Sequence, residues 1–67
     1  MTKPQKGVPK TYYIGFGGTD EVIPVIATSA KQAKQKFADF HGIRVSSYIV
    51  ERRKNISPGY MRMKPIV

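Results

Sequence analysis

The chain has 67 residues, no cysteine and twelve Lys and Arg against four Asp and Glu, which gives a formal net charge of +8 and a pI near 10.1. This length fits one small domain. Without cysteine, and with His41 as the sole histidine, the chain can form neither a disulfide nor a zinc site of the usual kind. A net positive charge this large is typical of nucleic-acid-binding proteins, although a chain with this charge would also be attracted to an acidic protein surface.

Residues 1–10, MTKPQKGVPK, are predicted to form a basic flexible arm. The stretch offers too little apolar surface to offset the entropy lost on ordering. Its lysines Lys3, Lys6 and Lys10 are candidate contacts to a polyanion. The folded core is predicted over residues 11–54, and residues 55–67 are predicted to be a C-terminal extension.

The first predicted strand covers residues 11–16, where aromatic and β-branched residues alternate. Its alternation places Tyr12, Ile14 and Phe16 on one face and Tyr13 on the other.

The glycine-rich stretch that follows could either cradle a phosphate or turn the chain. A dinucleotide-binding motif would need glycine where Asp20 stands and a helix directly afterwards, whereas a strand-like stretch follows here. We therefore predict a hairpin loop over residues 17–20, and a close approach or a bulge at Gly15.

A second strand is predicted over residues 21–28, and a helix directly after it. Pro24 has no amide hydrogen, so this strand should lie at a sheet edge or contain a bulge. Ser29 should cap the helix, with Gln32 completing a capping box, and Gly42 should end it in the left-handed conformation. The apolar helix face is predicted to comprise Ala30, Ala33, Phe37 and Phe40. The predicted core joins Ile14, Phe16, Ala33, Phe37 and Phe40.

A third strand is predicted over residues 44–53, with Val45 and Ile49 on the helix side and Tyr48 and Val50 on the other. Residues 60–64 also alternate and could add a fourth strand beside the third. A strand–helix–strand connection joins parallel strands, and a hairpin joins antiparallel ones. The fold class predicted is therefore α+β, a ββαβ domain whose mostly antiparallel sheet has the order 2-1-3 and one helix on one face.

The face without the helix is expected to be open to solvent or to a partner, and to carry Tyr13, Arg44, Ser46, Tyr48, Val50 and Arg52. Tyrosines beside arginines on an open sheet favour single-stranded nucleic acid, because rings stack on bases and guanidinium groups hold phosphates. Alternatively, Tyr13 and Tyr48 pair across strands and only stabilise the sheet. The candidate residues for binding nucleic acid or another partner are Lys3, Lys6, Lys10, Tyr13, Arg44, Tyr48, Arg52, Arg53, Lys54 and Arg62.

The sequence predicts no catalytic residues, cofactor or metal site. No two of the four carboxylates are placed as an acid–base pair, Ser46 and Ser47 have no evident base, and His41 stands where a helix ends. We therefore expect a non-enzymatic, nucleic-acid-binding module, such as a component of a nucleoprotein particle. The alternative is a protein-binding module: a subunit of a phage virion or another complex, or an inhibitor encoded by a mobile element, docked on an acidic protein.

No apolar run approaches the ~20 residues of a membrane span, and the N-terminus has no apolar signal segment. We therefore expect no membrane partner, and a location in the cytosol or in an assembly formed there.

The plan of two strands, a serine-capped helix and a third strand over residues 12–53 is similar to that of some small archaeal-type large-subunit ribosomal proteins and of short phage proteins. The similarity rests on the order of elements, so no residue role is carried over from it.

Overall fold

A computed structural model describes residues 8–67 of the chain. The elements follow in the order β1 (Lys10–Phe16), β2 (Ile23–Ala27), α1 (Ala30–His41), β3 (Ile49–Arg52) and the short α2 (Pro58–Met61). The strands form one sheet in the order β2-β1-β3, and α1 packs on one face of it. The predicted α+β class and strand order are therefore confirmed.

The central strand β1 pairs antiparallel with both of its neighbours. Tyr12 lies opposite Val25 in β2, and Phe16 lies opposite Ile49 in β3. It follows that β2 and β3 run parallel to each other, as the crossover through α1 requires. β1 begins at Lys10, one residue before the predicted start, so the last residue of the predicted arm belongs to the sheet.

Pro24 lies in an edge strand, as predicted. Its carbonyl accepts a hydrogen bond from the amide of Ile66 at 2.9 Å, and the amide of Ile26 donates to the carbonyl of Ile66 at 2.8 Å. The amide and carbonyl of one strand residue point to the same side, so the hydrogen that Pro24 lacks would have pointed away from β1. The β1–β2 ladder therefore loses no donor.

The hairpin loop after β1 is present as predicted, but it covers residues 17–22 instead of 17–20, because β2 is shorter than predicted and begins at Ile23. Gly18 has a φ of 90°, in the left-handed region that favours glycine, and Thr19 donates from its amide to the carbonyl of Phe16 at 3.3 Å. A β-carbon at Gly15 would overlap the carbonyl oxygen of Glu21. The prediction of a close approach at Gly15 is thus confirmed.

Helix α1 begins and ends where its capping residues predict. The Ser29 hydroxyl accepts from the amide of Gln32 at 3.1 Å, and Gly42 adopts a φ of 70°. The side chain of Gln32 accepts from the amide of Thr28, one residue earlier than in a standard capping box. The two side-chain acceptors, Ser29 Oγ and Gln32 Oε1, thus satisfy backbone amides at the start of the helix.

The core lies between α1 and the sheet, and Phe40 is not part of it. Ile14, Ala33 and Phe37 are buried and Phe16 packs against them, but the side chain of Phe40 is 63% exposed. The buried residue near the end of the helix is Ala38. On a helix with 3.6 residues per turn, Ala38 and Phe40 lie on opposite sides of Phe37, so the buried face that includes Ala38 leaves the ring of Phe40 outside.

The third strand is shorter than predicted, because residues 42–48 form a loop. The Ser46 hydroxyl accepts from the amide of Tyr48 at 3.2 Å, and the Ser46 carbonyl accepts from the amide of Ile49 at 3.1 Å. This serine-centred turn diverts the chain from the ladder until Ile49. Val45, predicted to face the helix, is exposed in the loop.

The C-terminal segment does not extend the sheet beside β3. Residues predicted as a strand from 60 to 64 instead form the end of α2 and a turn, and Ile66 bridges Val25 on the far edge of β2. The chain thus passes from one edge of the sheet to the other, and α1 occupies one face. The connecting segment contains α2, which contacts β2, and Pro24 in β2 is fully buried.

Candidate nucleic-acid interface

A basic groove of about 630 Å³ lies where β1 begins and α1 starts. The register brings these elements together, because Lys10 at the start of β1 pairs with Ala27 at the end of β2, directly before the helix. The third wall comes from the end of β3, since Tyr13 lies opposite Arg52. The groove is lined by Lys10, Thr11, Tyr12, Tyr13, Thr28, Ser29, Ala30, Glu51, Arg52 and Arg53.

Two arginines at the end of β3 contribute differently to this groove. Arg53 donates from Nη2 to Glu51 Oε1 at 3.3 Å, yet its side chain remains 78% exposed. The hydrogen bond to Glu51, together with charge attraction, raises the pKa of the Arg53 guanidinium above its already high ordinary value. Arg52 instead turns to the hairpin loop, where it donates to the carbonyl of Thr19 at 3.1 Å.

Lys10 and Tyr12 form the wall on the β1 side. The Nζ of Lys10 lies 5.3 Å from the centroid of the Tyr12 ring, within the range of a cation–π contact. Tyr12 belongs to the hydrophobic core, with 9% of its surface exposed, and the lysine lies over its ring. Lys10 and the exposed Arg53 therefore line the same groove.

The structure gathers about half of the residues predicted to bind a partner. Lys10, Tyr13, Arg52 and Arg53 line the groove. Lys54 adjoins it, in a second shallow groove that also includes Arg52 and Arg53. Lys3 and Lys6 lie outside the described residues.

The remaining three predicted residues lie elsewhere. Arg44 is in the loop after α1, and Arg62 caps the end of α2. The ring of Tyr48 packs 5.6 Å from that of Phe16, at the hairpin end of the sheet. Tyr13 and Tyr48 therefore do not share a sheet face, because the turn at Ser46 removes Tyr48 from the strand.

Sequence reasoning missed Thr28 and Ser29 as groove residues. The sequence did contain a signal for them. In an antiparallel hairpin the end of β2 lies beside the start of β1, so a helix that is capped directly after β2 also starts beside the first residue of β1. Combining the cap at Ser29 with the hairpin register would have placed Lys10 there.

The opposite end of the molecule is apolar. A groove of about 240 Å³ there is lined by residues that include Phe16, Val22, Ile23, Phe37 and Met63. Beside it, a groove of about 480 Å³ lies between the exposed ring of Phe40 and the C-terminal tail. The molecule therefore has a basic end and an apolar end.

Within residues 8–67, no group of three or more His, Cys, Asp or Glu side chains is placed to hold a metal ion. None of the helices in this part of the chain has the length and apolar character needed to cross a membrane. Comparison of the chain with protein-family models, with curated proteins and with solved structures finds no match.

Proposed function

We propose that this chain is a small, non-enzymatic module that binds nucleic acid through the basic groove, as a component of a nucleoprotein particle in the cytosol. The observation that carries the proposal is the placement of Lys10 and Arg53 in one groove, with Lys54 in the adjoining groove, in a chain with a net charge of +8. Cations that converge on a concave surface attract phosphates and release their counterions.

The proposal is tested by measuring affinity for a labelled oligonucleotide over a range of salt concentrations. A Lys10→Gln, Lys54→Gln double variant removes one charge in the groove and one in the adjoining groove. The matched control is Arg62→Gln, Lys64→Gln, which removes two charges from exposed positions in the C-terminal segment. We expect the groove variant to bind more weakly, with a salt slope flattened by about 0.7–0.9 for each phosphate that it no longer binds, and the control to change far less.

Equal effects in the two variants would mean that only net charge matters and would contradict a site at the groove. Absence of binding at low salt would contradict nucleic acid as the partner.

A second candidate function is docking on a protein, and the apolar end favours it. Phe40 is 63% exposed and Tyr48 is 61% exposed, and both belong to a chain of aromatic contacts through His41 and Phe16. Exposed aromatic side chains are enriched at protein interfaces. A pull-down after nuclease treatment separates the two functions: a defined protein that remains bound, and is released by Phe40→Ala, supports docking.

A further inference from the structure

We infer that the basic groove recognises the sugar–phosphate backbone of a nucleic acid and does not stack on its bases. The inference rests on the proposed function and narrows it, because the two modes of binding require different side chains. Stacking needs exposed aromatic rings on one surface, whereas backbone binding needs exposed cations.

The tyrosines of the sheet do not form a stacking surface. Tyr13 lies between Pro24 and Arg52 on the sheet face away from α1, and it is half-buried there. Tyr48 lies at the other end of the sheet, with its ring against Phe16. A strand of bases could not stack on both rings.

The second ring in the groove is also unavailable to a base. Tyr12 is 9% exposed, and the ammonium group of Lys10 already lies 5.3 Å from its centroid. A base stacked on this ring would have to displace the lysine and break the cation–π interaction.

What the groove does expose is positive charge. Lys10 in the groove and Lys54 in the adjoining groove are exposed. The side chain of Arg53 is 78% exposed even though one of its nitrogens contacts Glu51. A guanidinium carries five N–H donors, so the Glu51 contact leaves others for a phosphate. Such contacts depend on the spacing of phosphates and not on the identity of the bases.

The experiment compares two labelled oligomers of equal length in fluorescence anisotropy with the full chain. One is an oligo-dT strand, and the other is an abasic strand that keeps the sugars and phosphates but has no bases. We expect affinities within about twofold of each other and equal salt slopes, since removing a base stack would weaken binding about 5- to 150-fold. Lys10→Gln should weaken both affinities equally, and Tyr13→Leu should change both by the same factor, because neither side chain stacks on a base.

Much weaker binding of the abasic strand, or a Tyr13→Leu variant that loses affinity for oligo-dT but not for the abasic strand, would overturn the backbone inference while leaving nucleic-acid binding intact. If neither oligomer binds at low salt, the proposed function fails and the inference fails with it.

Discussion

The guanidinium of Arg52 lies 3.5 Å from the carboxylate of Asp20, measured from Nη2 to Oδ1. Its other terminal nitrogen donates to the carbonyl of Thr19 at 3.1 Å. These contacts tie the end of β3 to the β1–β2 hairpin loop. Arg52, predicted from the sequence as a contact to a partner, thus also has a partner within the domain.

Arg52→Gln should lower the free energy of unfolding by about 0.2–1 kcal/mol, because the Asp20 side chain of the ion pair is 91% exposed and water screens its charge. Chemical denaturation measures the change. Arg44→Gln is the control, since Arg44 is an exposed residue of the loop after α1. Equal effects in the two variants would show that the hairpin contact contributes nothing.

Two phenylalanines of α1 should respond very differently to truncation. Phe37 is 2% exposed and Phe40 is 63% exposed, so Phe37→Ala removes a core ring and Phe40→Ala a surface one. We expect a loss of about 3–5 kcal/mol in stability for Phe37→Ala and less than about 1 kcal/mol for Phe40→Ala. Thermal unfolding of both variants checks this, and similar losses of stability would place the two rings in one core.

Local patterns predicted the fold well where one element determines its own boundaries. The cap at Ser29, the left-handed Gly42 and the edge position of Pro24 each follow from the chemistry of one residue and its neighbours. Alternation alone failed over residues 44–48, because the Ser46 turn uses side-chain hydrogen bonds that apolar periodicity does not report.

The candidate site was only partly predictable, since it depends on contacts between distant segments. The path of residues 53–65 is visible only once Ile66 is known to bridge Val25. On the face that the sequence predicts to be open, Pro24 is buried and Tyr13 is half-buried. The C-terminal segment also forms α2, which packs against β2, whereas periodicity predicts a strand beside β3.

Gly15 should tolerate no larger residue. A β-carbon at this position overlaps the carbonyl oxygen of Glu21, and backbone cannot rotate aside as a side chain can. We expect Gly15→Ala to destabilise the domain by about 1–3 kcal/mol. Gly59→Ala, where nothing lies within 4 Å, is the matched control. A Gly15→Ala variant as stable as the control would show that the hairpin loop shifts freely.

The bridge between the tail and β2 should be visible in hydrogen exchange. Deleting residues 66–67 removes the acceptor of the Ile26 amide, so we expect exchange at Ile26 to accelerate. The neighbouring Val25 lies opposite Tyr12 in β1 and should stay protected. Faster exchange at both amides would mean instead that the tail holds the whole sheet together.

The arm remains a prediction from sequence, because residues 1–7 lie outside the described part of the chain. Deleting residues 1–7 leaves β1 whole and removes Lys3 and Lys6. We expect the free energy of unfolding to change by less than about 0.5 kcal/mol, as at other exposed termini. Affinity for an oligonucleotide should fall, with a salt slope flattened by about 0.7–0.9 for each phosphate that the arm would have neutralised. A deletion that unfolds the domain would show the arm to be part of the fold.

The pairing of Ile66 with β2 also bears on how molecules of this protein behave when crowded together. Exposed sheet edges are templates for aggregation, and natural sheets shield them with proline, charge or covering segments. Here Pro24 and the tail shield one edge. The other edge strand has only four residues and ends at Arg52, next to Arg53. An edge this short, with charged residues at its end, is a poor template for another strand, so neither side of the sheet favours growth into fibrils. High local concentration should therefore leave each copy folded and separate.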